Sequence, residues 1–595
     1  MKFMRSRFVK NVTLISAFIM SLVSSKAFAV DAGSLLQQLE RTDKVHEYSE
    51  RTAPIIEKEN KMLDTEKRPA GKRIFVKKFR LEGNTQISEK ELMSDITLAD
   101  GKELTLEEIM GVADMITAKY RNKGFLIANA YVPSQSIFDG AVITRKNSSF
   151  QPVNTFGTVV IRVVEGKVGN ISVTGNKYYS SSFIEKRLAN VRNDPSLKEE
   201  TLERELLLLN EYPELSVKAT LKAGKAPGTT DIIATVSDKY PVFGTVSYDN
   251  FGVNSTSKNR LSASLNIGNT IKYGDLVILN GIIGLDEMDL SRLSFGRADY
   301  VIPVGVMGTQ IGSYYSNTIY SASGDSSLSP LELKGKANVF GLYVTQPLMK
   351  KLNRNINFKF GGEYISLYDK VLGSTKDTDE IRKITAGISY ESTDKYQGRN
   401  IVGLGYARGL GDFLGGTKSG ATDPNPSYLG ANDIFNKFNI DAMRIQKLSD
   451  YNQLIARASI QYSPDRLFSV ERMQIGGEGS VRGVNPGTIS GDSGYFGSLE
   501  LLASPFSPET LVYKQKLGDT VKFAIFTDLG RVINSSSRPS DSVTSSMSSV
   551  GAGIRLYGGT RFSSKLDWAI PSTQGCYNSF NLNDSQIYFQ TMVSF

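Results

Sequence analysis

The sequence has 595 residues, with 70 Lys and Arg against 61 Asp and Glu, one histidine (His46) and one cysteine (Cys576). A single cysteine cannot form an intramolecular disulfide. One histidine excludes zinc hydrolases and Ser/His/Asp or Cys/His enzymes whose catalytic groups lie outside the N-terminal region. We therefore predict a protein without metal, cofactor or enzymatic activity, and the mixture of charges argues against nucleic-acid binding.

Residues 1–29 have the pattern of a Sec signal peptide, which is removed from the mature protein. Lys2 and Arg5 are among the positive charges before the apolar run Val12–Val23, and the small-x-small cleavage site Ala27–Ala29 follows. Cleavage removes five positive charges and no acids, which lowers the formal net charge from +9 to +4. No later stretch is apolar over the length that a transmembrane helix needs, so a membrane role would require a β-barrel.

Residues 30–73 are polar and charged, and we predict a short plug-like helix followed by a linker. The helix is expected over Gly33–Arg41, where Leu35, Leu36 and Leu39 share one side. The segment EKENKMLDTEKRPAGKR then mixes charges and ends in Pro-Ala-Gly, a composition typical of flexible linkers.

Residues 74–239 contain an internal repeat. The segments Phe79–Leu92 and Ile171–Leu188 share a strand, a Gly-Asn turn and a capped helix, and each copy also ends in a strand. This pattern predicts two small α+β domains, residues 74–166 and 167–239, each ordered strand, helix, helix, strand, strand. The edges of such sheets can accept an extended peptide as an added strand.

Four Ser or Thr residues in this region are predicted to cap helices, because a glutamate follows each of them three residues later. The four are Ser88, Thr105, Ser182 and Ser196. Gly124 lies where the C-terminal cap of the helix after Thr105 is expected.

Residues 240–595 alternate apolar and polar positions in short segments separated by Gly, Asn, Asp and Ser turns. In the last segment, QIYFQTMVSF, one apolar face runs from Ile587 to the terminal Phe595. Amphipathic strands in long succession favour an outer-membrane barrel, and at roughly 22 residues per strand and turn they predict an antiparallel transmembrane β-barrel of about 16 strands. The alternative is a soluble β-sandwich array or a β-helix, which would leave the signal peptide and the aromatic terminus unexplained.

An inserted loop around residues 476–494 carries one arginine among glycines, in the sequence GGEGSVRGVNPG. Glycines and a proline favour tight turns, so this stretch is predicted to be a loop tip. Arg482 has two interpretations there, a solvated surface charge or one half of a fixed pair. In the strand KFAIFTDLGRV, a period of two places Phe526, Asp528 and Gly530 on one face. Asp528 should face the lumen, because a carboxylate is unfavourable in lipid.

The segment LFSVERMQIGGEGSVRGVNPGTISGDSGYFGSLEL resembles the pore-inserted loop of the two-partner secretion transporters, the TpsB branch of the Omp85 superfamily. The VRGY or VRGF tip of that family corresponds to Val481, Arg482, Gly483 and Val484, with valine in place of the aromatic residue. The sequence FTDLG matches the F-x-D-x-G motif of the family's barrel wall. VSYDNFG is similar to the first barrel strand, the two repeats look like POTRA domains, and the N-terminal helix resembles the plug helix.

The resemblance implies roles for individual residues. Arg482 would pair with Asp528 inside the barrel and act as a latch for the loop, since a guanidinium can hold a carboxylate with two hydrogen bonds. Gly530 would leave room for the loop beside that carboxylate. Phe595 would be the terminal signal read by the barrel assembly machinery that inserts the chain.

The resemblance also implies a pore in the bacterial outer membrane, in contact with its lipid and with the POTRA domains in the periplasm. A secreted TpsA-type exoprotein, such as an adhesin, a haemolysin or a haem-acquisition protein, would bind the POTRA domains and cross the barrel unfolded. The sequence has no phosphate-cradling G-x-x-x-x-G-K-[ST] motif, so export without ATP is expected. The alternatives are an Omp85-type assembly factor for other barrels and a passive porin.

Overall fold

The computed structural model describes the chain in several stretches. These are residues 56–58, 73–94, 99–138, 141–146, 149–153, 157–286, 289–322, 330, 332–417, 430–504, 511–512, 515–534, 544–559, 561–572 and 582–595. The predicted signal peptide and the predicted helix Gly33–Arg41 lie outside them. Within these stretches, no helix is both long and apolar enough to cross a membrane. Thr52–Pro241 belongs to one compact unit and Val242–Phe595 to another.

The first unit consists of two small domains. In chain order its elements are β1 (Ile56–Lys58), β2 (Ile74–Val76), β3 (Lys78–Glu82), α1 (Glu89–Met93), β4 (Lys102–Leu104), α2 (Leu106–Asn122), β5 (Asn129–Tyr131), β6 (Gln135–Phe138), β7 (Ala141–Lys146), β8 (Ser149–Val153), β9 (Thr158–Val164), β10 (Lys167–Thr174), α3 (Ser181–Arg187), α4 (Ala189–Arg192), α5 (Glu199–Leu209), β11 (Leu215–Ala223) and β12 (Thr229–Asp238). The two predicted α+β domains are thus confirmed.

The two domains repeat one sheet topology. The first sheet has the order β3-β9-β5 and the second contains the order β10-β12-β11. In each sheet, the strand that comes first in the sequence, β3 or β10, pairs in parallel with the strand that comes last, β9 or β12. The strand between them in the sequence, β5 or β11, pairs antiparallel with that last strand. Helices cover one face of each sheet and bury separate apolar cores, one around Ile116 and Ile161 and the other around Leu206 and Ile232.

The repeat extends to the turn after the first strand of each domain. Gly83 and Gly175 both adopt positive φ angles, +89° and +85°, which glycine permits without strain. A carboxylate from the end of each domain then holds the turn. Glu165 accepts two backbone N–H groups at 2.6 and 2.7 Å, and Asp238 accepts three at 2.6 to 2.9 Å.

Two of the predicted helix caps are confirmed. Thr105 begins α2 with a complete capping box, in which its hydroxyl accepts from the backbone of Glu108 and the Glu108 carboxylate accepts from the backbone of Thr105. Ser88 caps α1 through its hydroxyl alone. Gly124 follows the C-terminus of α2 with a φ of +86°, as the sequence predicts.

The other two predicted caps are wrong. Ser182 lies inside α3, because Ser180 is extended and its hydroxyl already accepts the N–H of Phe183. Ser196 does not cap α5, whose N-cap is Lys198. The carboxylate of Asp194 accepts the backbone N–H groups of Ser196 and Lys198, so an acidic side chain orders the chain before this helix.

Strand β1 is an element that the sequence does not predict, since it lies in the expected linker. It pairs in parallel with β11, with Ile56 opposite Ala219 and Lys58 opposite Leu221. The second sheet therefore has the order β1-β11-β12-β10. An edge strand presents unpaired N–H and C=O groups that can template a passing segment of chain, which accounts for an ordered strand in a sequence typical of linkers.

The second unit is a closed antiparallel barrel with an inserted loop. Its elements are β13 (Val242–Asp249), β14 (Arg260–Gly268), β15 (Leu276–Gly284), β16 (Leu293–Val304), β17 (Thr309–Ser321), β18 (Lys334–Lys351), β19 (Arg354–Val371), β20 (Ser374–Thr393), β21 (Gly398–Gly409), β22 (Asn436–Lys447), β23 (Gln453–Tyr462), a 3-10 turn (Ser469–Glu471), β24 (Met473–Ile475), β25 (Ile489–Gly491), β26 (Ser493–Ala503), β27 (Leu511–Val512), β28 (Gln515–Lys516), α6 (Leu517–Thr520), β29 (Val521–Ile533), β30 (Thr544–Gly558), β31 (Phe562–Ser572), a second 3-10 turn (Leu582–Asp584) and β32 (Gln586–Ser594). The wall contains all of the strands from β13 except β24, β25, β27 and β28. The prediction of 16 strands is confirmed, and closure excludes the soluble alternatives.

The barrel closes where its first and last strands meet. β13 and β32 share five registered pairs, from Thr245 opposite Ser594 to Asp249 opposite Gln590. The terminal Phe595 extends this seam, because its backbone exchanges two hydrogen bonds with Gly244 at 3.0 and 3.2 Å. Its ring is exposed on the outer surface of the barrel, on the apolar face that the sequence predicts.

Candidate functional site

The loop between β23 and β26 fills part of the barrel interior and carries Arg482. It spans residues 463–492, a longer segment than the predicted 476–494. The short strands β24 and β25 pair as a hairpin inside it, with Met473 opposite Gly491. The residues between the two strands, 476–488, form the loop tip. Gly483 in the tip has a φ of +93°, a conformation in which a residue with a side chain would be strained.

Arg482 is almost completely buried, with 1% of its surface exposed. Its Nε lies 2.8 Å from Asp528 Oδ2 and its Nη2 lies 2.9 Å from Oδ1, so the guanidinium holds the carboxylate with two hydrogen bonds. The backbone N–H of Arg482 also donates to Asp528, at 3.2 Å. The guanidinium carbon lies 3.3 Å from the centre of the Phe526 ring, a cation–π contact.

Two further carboxylates and a second arginine complete the site. Arg482 Nη1 lies 2.7 Å from Glu500 on β26 and 3.6 Å from Asp567 on β31. Arg555 on β30 bridges the same two acids, at 2.8 Å from Glu500 and 2.6 Å from Asp567. All of these side chains are buried. We call Arg482, Asp528, Glu500, Asp567 and Arg555 the tip cluster, and it connects the loop with four wall strands.

Glycine and valine positions around this cluster shape the space for the loop. Val481 is fully buried, and a Cβ added to Gly530 would lie 2.7 Å from Ile475 Cγ2 and 3.1 Å from Val481 Cγ2. A side chain at position 530 would therefore collide with the loop. Val484 packs against the same apolar group, which also includes Met473. The valine thus makes an aliphatic contact where the resembled family has an aromatic ring.

The tip also contacts the strand that closes the barrel. The Tyr588 hydroxyl on β32 accepts the N–H of Gly483 at 3.0 Å and donates to the carbonyl of Val484 at 3.0 Å. Glu478 forms an ion pair with Lys565 on β31. The tip is therefore held by backbone and side-chain contacts on both sides of Arg482.

Sequence reasoning identified Arg482 and Asp528 but missed Glu500, Asp567 and Arg555. A usable signal exists in the segments SLEL and KLDWAI, where an acid stands on the face opposite to the large apolar residues. Period alone shows that such an acid faces the lumen. Which acids lie together depends on the registers β26 to β29 and β30 to β31, which the sequence does not specify.

Three acids surround Arg482, so charge as well as shape attaches the loop to the wall. The loop joins the neighbouring wall strands β23 and β26. The contacts of Arg482 with Asp528, Glu500 and Asp567 give its tip a defined position in the lumen. Since an exposed ion pair contributes about 0 to 1 kcal/mol and loss of one partner of a buried pair is worth about 3 to 5, the buried cluster can select one loop position.

Comparison with known families agrees with this architecture. The family model described as haemolysin secretion/activation protein ShlB/FhaC/HecB matches residues 228–556, more than half of the chain. The model of the ShlB-type POTRA domain matches residues 74–145.

Individual relatives resemble the chain over most of its length. The heme/hemopexin transporter protein HuxB of Haemophilus influenzae is 25% identical over 522 residues, which cover 86% of this chain and 85% of HuxB. The outer membrane transporter CdiB of Escherichia coli is 22% identical over 521 residues, covering 84% and 82%. The solved structure of CdiB from Escherichia coli superposes with a TM-score of 0.70 at 19% identity and covers 95% of this chain and 99% of that one, which shows the shared fold.

Proposed function

Because the chain belongs to the haemolysin secretion/activation protein family ShlB/FhaC/HecB, whose members export TpsA-type exoproteins through the outer membrane, we propose a mechanism in which the buried Arg482 controls the pore. The barrel lies in the outer membrane and the two small domains, which are POTRA domains, lie in the periplasm. The chain is a transporter and not an enzyme.

The observation that carries the proposal is the tip cluster. In the resting pore, Arg482 holds the loop against Asp528 and Glu500 at 2.8 and 2.7 Å. When the exoprotein enters, the tip leaves this position and the passing chain uses the space. The cluster suits such a cycle in part, because Arg555 stays with Glu500 and Asp567 after Arg482 departs.

The exoprotein binds first to the POTRA domains in this proposal. Both sheets have strand edges with backbone groups that an extended, unfolded chain can pair with. The edge of β11 is occupied by β1, so a chain that uses this edge has to displace the linker. Displacement would pull on residues 30–73 and draw the predicted plug helix, residues 33–41, out of the pore.

The direction of transport comes from folding outside the cell. An exoprotein that crosses unfolded and then folds at the surface cannot return, and this bias requires no nucleotide. The partner would be one large exoprotein. Among the relatives, HuxB is named a heme/hemopexin transporter, so a haem-acquisition protein is one of the partner types to test, beside adhesins and haemolysins.

The test is a protein inventory of culture medium and outer membrane from cells with and without this gene. We expect one large protein to disappear from the medium while other outer-membrane barrels keep their abundance. A general fall in outer-membrane barrels would instead show an assembly factor of the Omp85 type. If neither fraction changes, the proposal fails and a passive porin becomes the better explanation.

A further inference from the structure

A second group of charged residues holds the same loop, at its base rather than at its tip. Glu471, at the end of the 3-10 turn Ser469–Glu471, has its Oε1 2.6 Å from Lys383 Nζ, and its Oε2 forms an ion pair with Lys437. Lys383 Nζ also lies 2.9 Å from Glu363 Oε2. We call these four side chains the base cluster. It contains two acids and two ammonium groups.

The base cluster is centred on a buried glutamate and joins the loop to a different part of the wall. Glu471 has 1% of its surface exposed. Its partners Glu363, Lys383 and Lys437 lie on β19, β20 and β22, whereas the tip cluster lies on β26, β29, β30 and β31. The loop is therefore mounted at two separate sectors of the barrel, with β23 between them.

Backbone contacts strengthen the base. The side-chain amide of Gln461 donates to the carbonyl of Glu471 at 2.9 Å and to that of Asp492 at 3.0 Å, and so connects the two ends of the loop. The Asp492 carboxylate accepts the N–H of Leu467 at 2.9 Å. These bonds hold the entry and exit of the loop together irrespective of where the tip lies.

The backbone is most adaptable between the two clusters. Gly476 and Gly477 adopt φ angles of +124° and +86° on one side of the tip, and Gly487 adopts +66° on the other. Glycine moves between positive and negative φ without steric penalty, so these positions can absorb a rotation of the tip. They bracket the segment that carries Glu478 and Arg482.

We propose that the base cluster is a fixed anchor and that only the tip, residues 476–488, moves during export. The inference rests on the proposed function, because it assumes that the latch opens. If the whole loop left, Lys437 would lose Glu471, the one carboxylate within ion-pair distance of it among the described residues. Opening of the tip already separates Arg482 from Asp528 and Glu478 from Lys565, and departure of the whole loop would break these pairs as well as the pair at Lys437. An unpaired buried charge is strongly unfavourable, so opening at the tip is the easier motion.

Two matched ion pairs allow a direct test. Glu471 with Lys437 represents the base and Glu478 with Lys565 the tip, and each is a loop glutamate paired with a wall lysine. Each pair is replaced by two cysteines in a Cys576→Ser background. The same short bifunctional thiol reagent then cross-links either pair, and secretion of the exoprotein is measured per assembled barrel.

For the base pair, we expect weakened secretion before cross-linking and recovery to about the level of the Cys576→Ser parent afterwards, since a covalent anchor replaces an ionic one. For the tip pair, cross-linking should reduce secretion by about tenfold or more, the factor that corresponds to about 1.4 kcal/mol. A base cross-link that blocks secretion as strongly as the tip cross-link would overturn the proposal.

The same experiment separates this inference from the proposed function. If both cross-linked proteins secrete normally, the tip does not have to move, so the latch mechanism fails while the fixed base stands. If the tip cross-link leaves secretion normal and the base cross-link reduces it, the base moves and the inference fails.

Hydrogen exchange of the purified full-length protein gives a second test that needs no cross-link and tolerates a weakly assembling variant. Arg482→Ala should accelerate exchange in residues 476–488 and leave residues 467–475 unchanged. Glu471→Gln should accelerate exchange in residues 467–475. Equal acceleration of both segments by Arg482→Ala would show that the loop moves as one body and would refute the fixed base.

Discussion

Arg482 depends on a wall that leaves space for it as much as on its acidic partners. Its guanidinium is stacked on Phe526, and the adjoining Val481 lies against Gly530. The planar fork of arginine satisfies Asp528 with two parallel hydrogen bonds, which the point charge of lysine cannot reproduce. Residue type, and not charge alone, should therefore decide the behaviour of this position.

Loss of one partner of a buried pair is worth about 3 to 5 kcal/mol, which would shift the loop out of its resting position by more than a factor of ten. We therefore expect Arg482→Ala to leave few pores in the state from which export starts and to reduce secretion by at least about tenfold. Arg482→Lys should restore little. The measurement is exported protein per assembled barrel. Arg444→Ala is the control for loss of a barrel arginine, because the partly exposed Arg444 pairs with Asp394 at 2.8 Å, a contact that does not involve the loop. Equal secretion by the Arg482 and Arg444 variants would contradict the latch.

The space at Gly530 can be tested by filling it. Gly530→Ala places a Cβ 2.7 Å from Ile475 Cγ2, so we expect the loop to shift and secretion to fall. Ile475→Ala removes that atom and should recover part of the loss in the double variant. Gly296→Ala is the control, since a Cβ there has no neighbour within 4 Å. The loop shift is measured by protease sensitivity of the tip on intact cells, and an unchanged pattern in Gly530→Ala would rule out the steric explanation.

At the scale of elements, the sequence predicted what depends on local pattern and missed what depends on register. Alternation identified the barrel strands, and the repeated Gly-Asn turn identified the two domains. The predicted cap at Ser196 is wrong because the carboxylate of Asp194, two residues earlier, accepts the backbone N–H groups of Ser196 and Lys198. Strand β1 was missed because its short segment becomes ordered only against the edge of β11, which is 163 residues away in the sequence.

The carboxylate that holds the first turn should make local stability depend on pH. Burial opposes ionisation of Glu165, but hydrogen bonds from the Thr85 hydroxyl and from the backbone of Gln86 and Thr85 outweigh it and hold its pKa below the usual value. Since the folded-state pKa is the lower one, the stabilisation is complete above the ordinary glutamate pKa of about 4.3 and is lost as the pH falls through the folded-state value.

We therefore expect Glu165→Gln to lower hydrogen-exchange protection of residues 84–88 at pH 7, with a difference from the parent that shrinks below about pH 4. Glu89→Gln removes an exposed carboxylate on the neighbouring helix and should have little effect at either pH. A difference for Glu165→Gln that persists unchanged at low pH would show that shape, and not charge, holds the turn.

The linker strand offers a test of how the POTRA domains receive their partner. Glu57→Pro removes a backbone donor from β1 and should release it from β11, so we expect faster exchange at Thr220 and tighter binding of an extended exoprotein fragment. Glu57→Gln keeps the backbone donor and should behave as the parent. If the proline variant binds the fragment no more tightly, the linker does not compete for this edge.

At the scale of the whole molecule, barrel closure and loop position are held by different contacts. Closure depends on the five pairs between β13 and β32 and on the backbone exchange of Phe595 with Gly244. The loop depends on the tip and base clusters in the lumen. A protein built in this way should lose barrel assembly and export activity through separate sets of substitutions.

Deletion of Phe595 should therefore reduce the amount of barrel in the outer membrane, because it removes both terminal hydrogen bonds of the seam. The barrels that do assemble should each export at the normal rate, since the tip cluster is intact. Arg482→Ala should show the opposite pattern, with a normal amount of barrel and little export from each. Assembly is measured by heat-modifiable migration in gels and export by the exoprotein in the medium. If deletion of Phe595 also lowers export per barrel to the level of Arg482→Ala, the seam and the loop are one cooperative structure, because loosening the closing strand would then also release the Tyr588 contacts that hold the tip.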